Sequence, residues 1–275
     1  MASRSATALK RAVDQARDCS RLRLTHGVCR ARVSTVLSPI FQDSASRPCI
    51  STARTIIRMN SPITIDRPQT LGEEIANAVS HGLGAALAVA ALPVLVYFAA
   101  INGTAINVVA VCLFAATMIL LYSVSALYHA LPQGTAKRWL NRLDHSAIYL
   151  FIAGSYTPFA LGVLRGGWGW TLFGLTWGIA AIGVAAKLFN RLRHPYWSTG
   201  LYVAMGWIVL VALKPLLDVM PAPGLAWLVA GGVAYTAGAA VFLMDNRVRY
   251  AHAVWHLFVM AGSLCHFFAV LWYAI

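Results

Sequence analysis

An all-α bundle of seven membrane-spanning helices is the fold the sequence predicts, and three observations predict it. The 275 residues are 59% hydrophobic and only 11% charged, where a soluble domain is nearer half apolar and a quarter charged. Mean hydropathy is +0.66. From residue 78 the chain breaks into seven apolar stretches of about 20 residues, the length that crosses a hydrocarbon core as helix. The basic residues of that region sit in or beside the short gaps between stretches, where membrane topology places them. Helices are required because lipid offers no partner to unpaired backbone groups, and no ten-residue alternating pattern suggests a barrel.

The stretches run 78–100, 107–128, 145–164, 170–188, 199–217, 225–244 and 251–274. Turn chemistry separates them: Ile-Asn-Gly at 101–103, Pro-Gln-Gly at 132–134, Arg-Gly-Gly at 165–167 and Pro-Ala-Pro-Gly at 221–224. Pro158, within GSYTPF, predicts a kink in the third helix. Gly174 and Gly178 on the fourth permit close helix packing. With the N-terminus in the cytoplasm, the inner segments carry Arg67, then Lys137, Arg138 and Arg142, then Lys187, Arg191 and Arg193, then Arg247 and Arg249. Only Arg165 and Lys214 fall outside. That bias predicts a cytoplasmic N-terminus and an external C-terminus. Trp168, Trp170, Trp197, Trp227 and Trp272 lie near helix ends, as interfacial anchors do.

Residues 1–58 differ from the rest. They are rich in Arg, Ser, Thr and Ala and hold eleven Lys/Arg against three Asp, a large part of the chain's net charge of +13. Three readings stand: a chain that truly begins at Met59, a disordered cytosolic tail, or an organellar transit peptide, which Asp14, Asp18 and Asp43 count against. Residues 59–77 read as a cytosolic lead-in, and 78–275 as the helical domain. The charge balance excludes nucleic acid as a partner of that domain. Cys19, Cys29 and Cys49 lie in the tail and Cys112 and Cys265 inside apolar stretches, which is no disulfide framework and offers no CxxC metal pair.

Polar residues inside a spanning helix are costly, so each is a functional suspect. Here they gather. The second helix ends with Ser125-Ala-Leu-Tyr-His129, and the third opens with Asp144-His145-Ser146. The seventh opens with His252-Ala-Val-Trp-His256, and the first with Glu74-Ile-Ala-Asn77-Ala-Val-Ser80-His81. The topology set by Lys and Arg brings all four segments to one membrane depth. His252 and His256 are one turn apart on one face, a spacing at which two imidazoles reach one metal ion. Three imidazoles plus water form an open zinc arrangement. Each residue also has a plainer reading. The histidines fit a packed, hydrogen-bonded pair, Asp144 a helix N-cap and Ser125 a bond to its own i−4 carbonyl. Glu74 suits the dipole of its helix's N-terminus. His266 stands ten residues beyond His256, roughly 15 Å deeper at about 1.5 Å per residue.

At these residues the sequence resembles the hemolysin III family. The matching motifs are EEIANAVSHGLG, SALYHALP, LDHSAIYLFIAGSYTPF, MGW, ALKPLL and YAHAVWHLFVMAGSLCHFFAV, and the resemblance covers about residues 67–275. That family lies within the seven-helix superfamily of progestin and adiponectin receptors, related more distantly to alkaline ceramidases. The resemblance implies a zinc site near the cytoplasmic face. His129, His252 and His256 would be its ligands, with Asp144 and Ser125 holding the zinc-bound water. Glu74, Asn77 and His81 match the first-helix motif of the family, in a supporting position around the ligands, and His266 is a further supporting candidate.

Three functions follow as expectations. The first is a zinc-dependent intramembrane hydrolase of a lipid amide or ester. In it Asp144 would accept the water's proton, Ser125 would hydrogen-bond the developing oxyanion, and the bundle interior would hold the acyl chain. The second is a cytolysin or pore, as the family name suggests, although the ionisable groups crowd at one end instead of lining a path. The third is a receptor-like regulator of membrane lipid homeostasis with structural zinc. The expected setting is a bacterial inner membrane, with the bilayer and a lipid substrate or ligand as partners.

Overall fold

The computed structural model describes residues 67–275 apart from Asn190 and Arg193. The three readings of residues 1–58, the lead-in up to residue 66 and the basic residue Arg193 lie outside the described residues. Helix α1 spans Leu71–Asn102, α2 Ala105–Ala130 and α3 Thr135–Thr157, which runs on as a π-helical segment, Pro158–Leu164. Then follow α4 (Gly166–Leu188), α5 (Pro195–Gly206), a 3-10 turn (Ile208–Ala212) and α6 (Leu213–Val219). Helices α7 (Ala222–Phe242) and α8 (Ala251–Tyr273) complete the fold. Seven of these lengths are long and apolar enough to span a membrane, the fifth being α5 and α6 taken together.

Two helices begin well before the apolar stretches that announce them. Helix α1 starts at Leu71, where a capping box closes it: the Thr70 hydroxyl accepts from the Glu73 N–H and the Glu73 carboxylate accepts from the Thr70 N–H. Helix α3 starts at Thr135, so Asp144 lies in its interior and is not its N-cap. Hydropathy misses both starts because the early turns carry charged residues, of which Glu73, Glu74 and Lys137 are ion-paired. At Pro158, where the sequence predicts a kink, the α-helical ladder gives way to π-helical bonding as far as Leu164. The segment stops at Arg165, whose φ of 51° is left-handed and whose N–H bonds back to the Ala160 carbonyl.

Helix α1 packs on α2, α2 on α3 and α3 on α4; α5 touches α3 and α7, α7 packs on α8, and α8 returns to α1. The third span is the most enclosed. Of its most apolar window 72% is buried, against 50% for the second span and 33% or less for the others. Helix α1 shows how the faces are sorted. Ile75, Val79, Leu83 and Leu87 recur every fourth residue and are exposed, while Glu73, Asn77, His81, Gly84 and Ala88 are buried. The apolar row faces outward and the polar row inward, the arrangement lipid demands.

Packing of α7 on α8 is reciprocal. A Cβ on Gly231 of α7 would lie 2.5 Å from His266 Nε2, and one on Gly262 of α8 would lie 2.6 Å from Tyr235 Cε1. Each glycine therefore makes room for a ring from the other helix, one turn from that helix's own glycine. Gly174 and Gly178, expected to serve this purpose, are not packing glycines: a Cβ added at either would meet nothing within 4 Å. Cys112 and Cys265 are free thiols.

Candidate metal centre

His129 comes from the last turn of α2, and His252 and His256 from the first two turns of α8. One ring nitrogen from each lies within 4.8 Å of the others, in a group that could hold a metal ion. All three side chains are buried, and all three Nε2 atoms are without a hydrogen-bond partner. Their Nδ1 atoms, in contrast, are all engaged. His129 Nδ1 is 2.7 Å from Glu74 Oε2, His252 Nδ1 is 3.1 Å from Asp245 Oδ2, and His256 Nδ1 is 3.0 Å from Ser80 Oγ.

These contacts assign one tautomer to all three rings. A carboxylate can only accept, so His129 and His252 carry the proton on Nδ1. The Ser80 hydroxyl donates to the Asn77 carbonyl at 2.9 Å, which leaves its oxygen to accept from His256 Nδ1. Every Nε2 is thus a bare lone pair, buried and unspent. Leaving such an acceptor unsatisfied costs about 1–3 kcal/mol each, and the three rings that carry them are grouped together. The donor set, three neutral imidazoles each oriented through its other nitrogen, is one that zinc takes.

Glu74 does more than favour the helix dipole. Its second oxygen lies 2.8 Å from Lys137 Nζ, and the lysine also donates to the Leu131 carbonyl at 3.0 Å. The Asn77 amide nitrogen lies 3.4 Å from His129 Nδ1, alongside the Glu74 contact. Asp144, two and a half turns into α3, is buried and interacts with Ser125 and with His252. Ser125 and Asp144 thus form a pair that links α2 to α3 beside the histidines.

His81 lies against this group without joining it. Its ring stacks on His256 with centroids 3.4 Å apart and meets Tyr122 edge-on at 5.0 Å, and neither of its nitrogens has a partner. His266 is elsewhere. It packs against Tyr235 and the Gly231 backbone deeper in the bundle, so it does not support the triad.

Three supporting groups carried no role in the sequence pattern: Ser80, Asp245 and Glu73. Glu73 is fully buried and its carboxylate takes Arg67 Nη1 at 3.0 Å, Thr70 N–H at 2.9 Å, Thr70 Oγ1 at 2.8 Å and Tyr250 N–H at 2.9 Å. In return it holds the Arg67 guanidinium above its ordinary pKa. The Thr70-x-x-Glu73 capping box was the available signal for Glu73; nothing local marks Asp245.

The chain matches the family described as Haemolysin-III related over residues 69–267, which includes every residue of the centre. It is similar to Hemolysin-3 of Bacillus cereus, 45% identical over 207 residues that make up 75% of this chain and 94% of that protein. Similarity to the Hemolysin-3 homolog of Bacillus subtilis (strain 168) is 42% over 206 residues, 75% of this chain and 96% of that one. A more distant likeness is to the monocyte to macrophage differentiation factor of Homo sapiens, 28% identical over 159 residues, 54% of this chain and 64% of that protein. With its helical domain matched nearly end to end, the chain belongs to the haemolysin III family, within the progestin and adiponectin receptor superfamily.

Proposed function

We propose that the chain is a zinc-dependent intramembrane hydrolase acting on a lipid amide or ester. The observation that carries this reading is the convergence of three buried imidazoles, each with a partnerless Nε2, beside a buried carboxylate. His129, His252 and His256 would hold the zinc. When bound, the ion supplies Lewis-acid polarisation of a carbonyl and makes water acidic enough to react near neutral pH. Asp144 takes the proton of the attacking water. The Ser125 hydroxyl, which donates to that carboxylate, keeps it oriented. Once protonated, Asp144 donates to Ser125 instead and frees the serine O–H for the developing oxyanion. Apolar side chains of the bundle, including Phe114, Phe151 and Val259, form the surroundings an acyl chain needs. The basic residues support placing this end of the bundle at the cytoplasmic face, and the bacterial relatives support an inner-membrane setting.

The test is metal content and product release on the detergent-purified chain. Wild type should carry about one zinc per chain and release free fatty acid from an N-acyl amide or an acyl ester. His252→Ala/His256→Ala should lose the zinc. Asp144→Asn should keep it and lose about 10²–10⁴-fold in rate. A wild-type protein that takes up no zinc when supplied with it, or holds zinc and releases no fatty acid from either lipid class, refutes the proposal.

A further inference from the structure

The linker between α7 and α8 and the four residues before α1 meet at the outer edge of the histidine group. Asp245 Oδ2 lies 3.1 Å from His252 Nδ1. Gln69 Nε2 lies 2.9 Å from both oxygens of the same carboxylate, so Asp245 is fixed by the chain segment ahead of the first span. The Gln69 amide has to present its nitrogen here, because its oxygen would face the carboxylate acceptor to acceptor. Beside this contact, the Arg67 N–H donates to Asn246 Oδ1 at 3.2 Å. One residue before α8, the Tyr250 N–H donates to Glu73 Oε1 at 2.9 Å. Tyr250 has a φ of 60°, a left-handed conformation that a residue with a side chain adopts only where its surroundings hold it. That turn sets the direction in which α8 starts, and hence where His252 points.

From this arrangement we propose that Asp245 is the positioning residue of the His252 ligand and that Gln69 and Glu73 latch it in place. The metal centre is thereby completed by a segment outside the membrane-spanning helices. The carboxylate holds the His252 proton on Nδ1 and turns Nε2 toward the other two imidazoles. Glu74 serves His129 in the same way, but from within α1. Only the Asp245 contact depends on two segments that lie 176 residues apart and outside any helix. The inference rests on the reading of the triad as a metal site, and the experiment separates the two.

Zinc affinity is measured by chelator competition on the full-length chain in detergent, for wild type and for Asp245→Ala, Asp245→Asn, Asp245→Glu and Gln69→Ala. Each is also loaded with cobalt(II), whose visible absorption reports ligand geometry, and the melting temperature of each metal-free protein is recorded. Asp245→Ala should bind zinc about 10–100-fold more weakly and shift the cobalt bands. Gln69→Ala should show a smaller loss in the same direction. Asp245→Glu, which keeps the charge, should bind more tightly than the equal-sized Asp245→Asn. A purely structural role would lower the metal-free melting temperature, more in the larger Asp245→Glu than in the equal-sized Asp245→Asn, and would leave zinc affinity unchanged in both. Zinc affinity within about twofold of wild type in Asp245→Ala overturns the proposal. If that variant does not fold, unchanged affinity and cobalt bands in both Asp245→Asn and Gln69→Ala overturn it equally. A wild type that binds no zinc refutes the metal reading itself and the inference with it.

Discussion

Replacing Glu74 with glutamine changes one oxygen to an NH2 group and removes one charge, in a place where two donors share that carboxylate. Oε2 is 2.7 Å from His129 Nδ1 and Oε1 is 2.8 Å from Lys137 Nζ. A glutamine keeps one acceptor, so it can serve the lysine or the histidine; its NH2 group then faces the other donor. Lys137 is 4% exposed, and removing one member of a buried ion pair costs about 3–5 kcal/mol. Two contacts soften that cost. The lysine keeps the Leu131 carbonyl at 3.0 Å and lies 4.8 Å from the centre of the Tyr128 ring. The expected loss is therefore at or just below the low end of that range, about 2–3 kcal/mol. For a domain of this size about 2–4 °C accompany each kcal/mol, so the apparent melting temperature falls by roughly 4–12 °C. Thermal denaturation in detergent at one fixed scan rate reads this shift. The second arm is Glu74→Gln/Lys137→Met, which removes the stranded charge and leaves the glutamine oxygen to His129. It should recover at least half of the loss. A single variant that melts within about 2 °C of wild type, or a double variant no more stable than the single, refutes the reasoning.

Three further outcomes follow from the packing and from the centre. Ser263→Ala removes the shared partner of Tyr122 and Tyr235, whose hydroxyls lie 2.7 and 3.1 Å from Ser263 Oγ; it should cost about 1–3 kcal/mol, read as a lower apparent melting temperature. Tyr122→Phe made in the same background should then cost little more, because the hydroxyl it deletes keeps only a long 3.5 Å contact to the Val259 carbonyl. Gly183→Ala would set a Cβ 2.6 Å from Tyr149 Cδ1 in a ring that is 1% exposed. Overpacking of that kind costs about 1–3 kcal/mol, and Gly174→Ala, which meets open space, is the control that should melt like wild type. Zinc at about 100 times its dissociation constant should stabilise wild type by about 2.7 kcal/mol, a rise of some 5–10 °C. His252→Ala/His256→Ala should show no rise, and an equal response in both proteins would mean that zinc binds elsewhere.

Much of this architecture can be read before any coordinates. Lipid enforces helices and segment lengths, so the seven spans follow from hydropathy, with their ends misplaced where charged turns continue the helix, as at Leu71 and Thr135. The positions of His129, His252 and His256 at one end of the bundle follow from helix direction and the distribution of Lys and Arg alone. Asp144 shows the limit of such reading. An acidic residue ahead of an apolar run looks like a cap; the structure has it inside α3, beside Ser125. Gly174 and Gly178 show another, because a helical pattern marks which residues share a face but not whether a neighbour covers that face.

Composition and period therefore suffice for the class of fold, the number of spans and the end of the bundle where ionisable groups collect, because each arises within a segment of a few helical turns. The state of the centre depends on contacts between segments distant in the chain. Which nitrogen of each histidine stays free depends on Glu74, Ser80 and Asp245. Asp245 is held in turn by Gln69, and Tyr250 by Glu73 across 177 residues. No local propensity encodes such pairings. They arise only when the bundle closes, α8 returns to α1, and buried polar groups must find their partners among the side chains that packing has brought within reach.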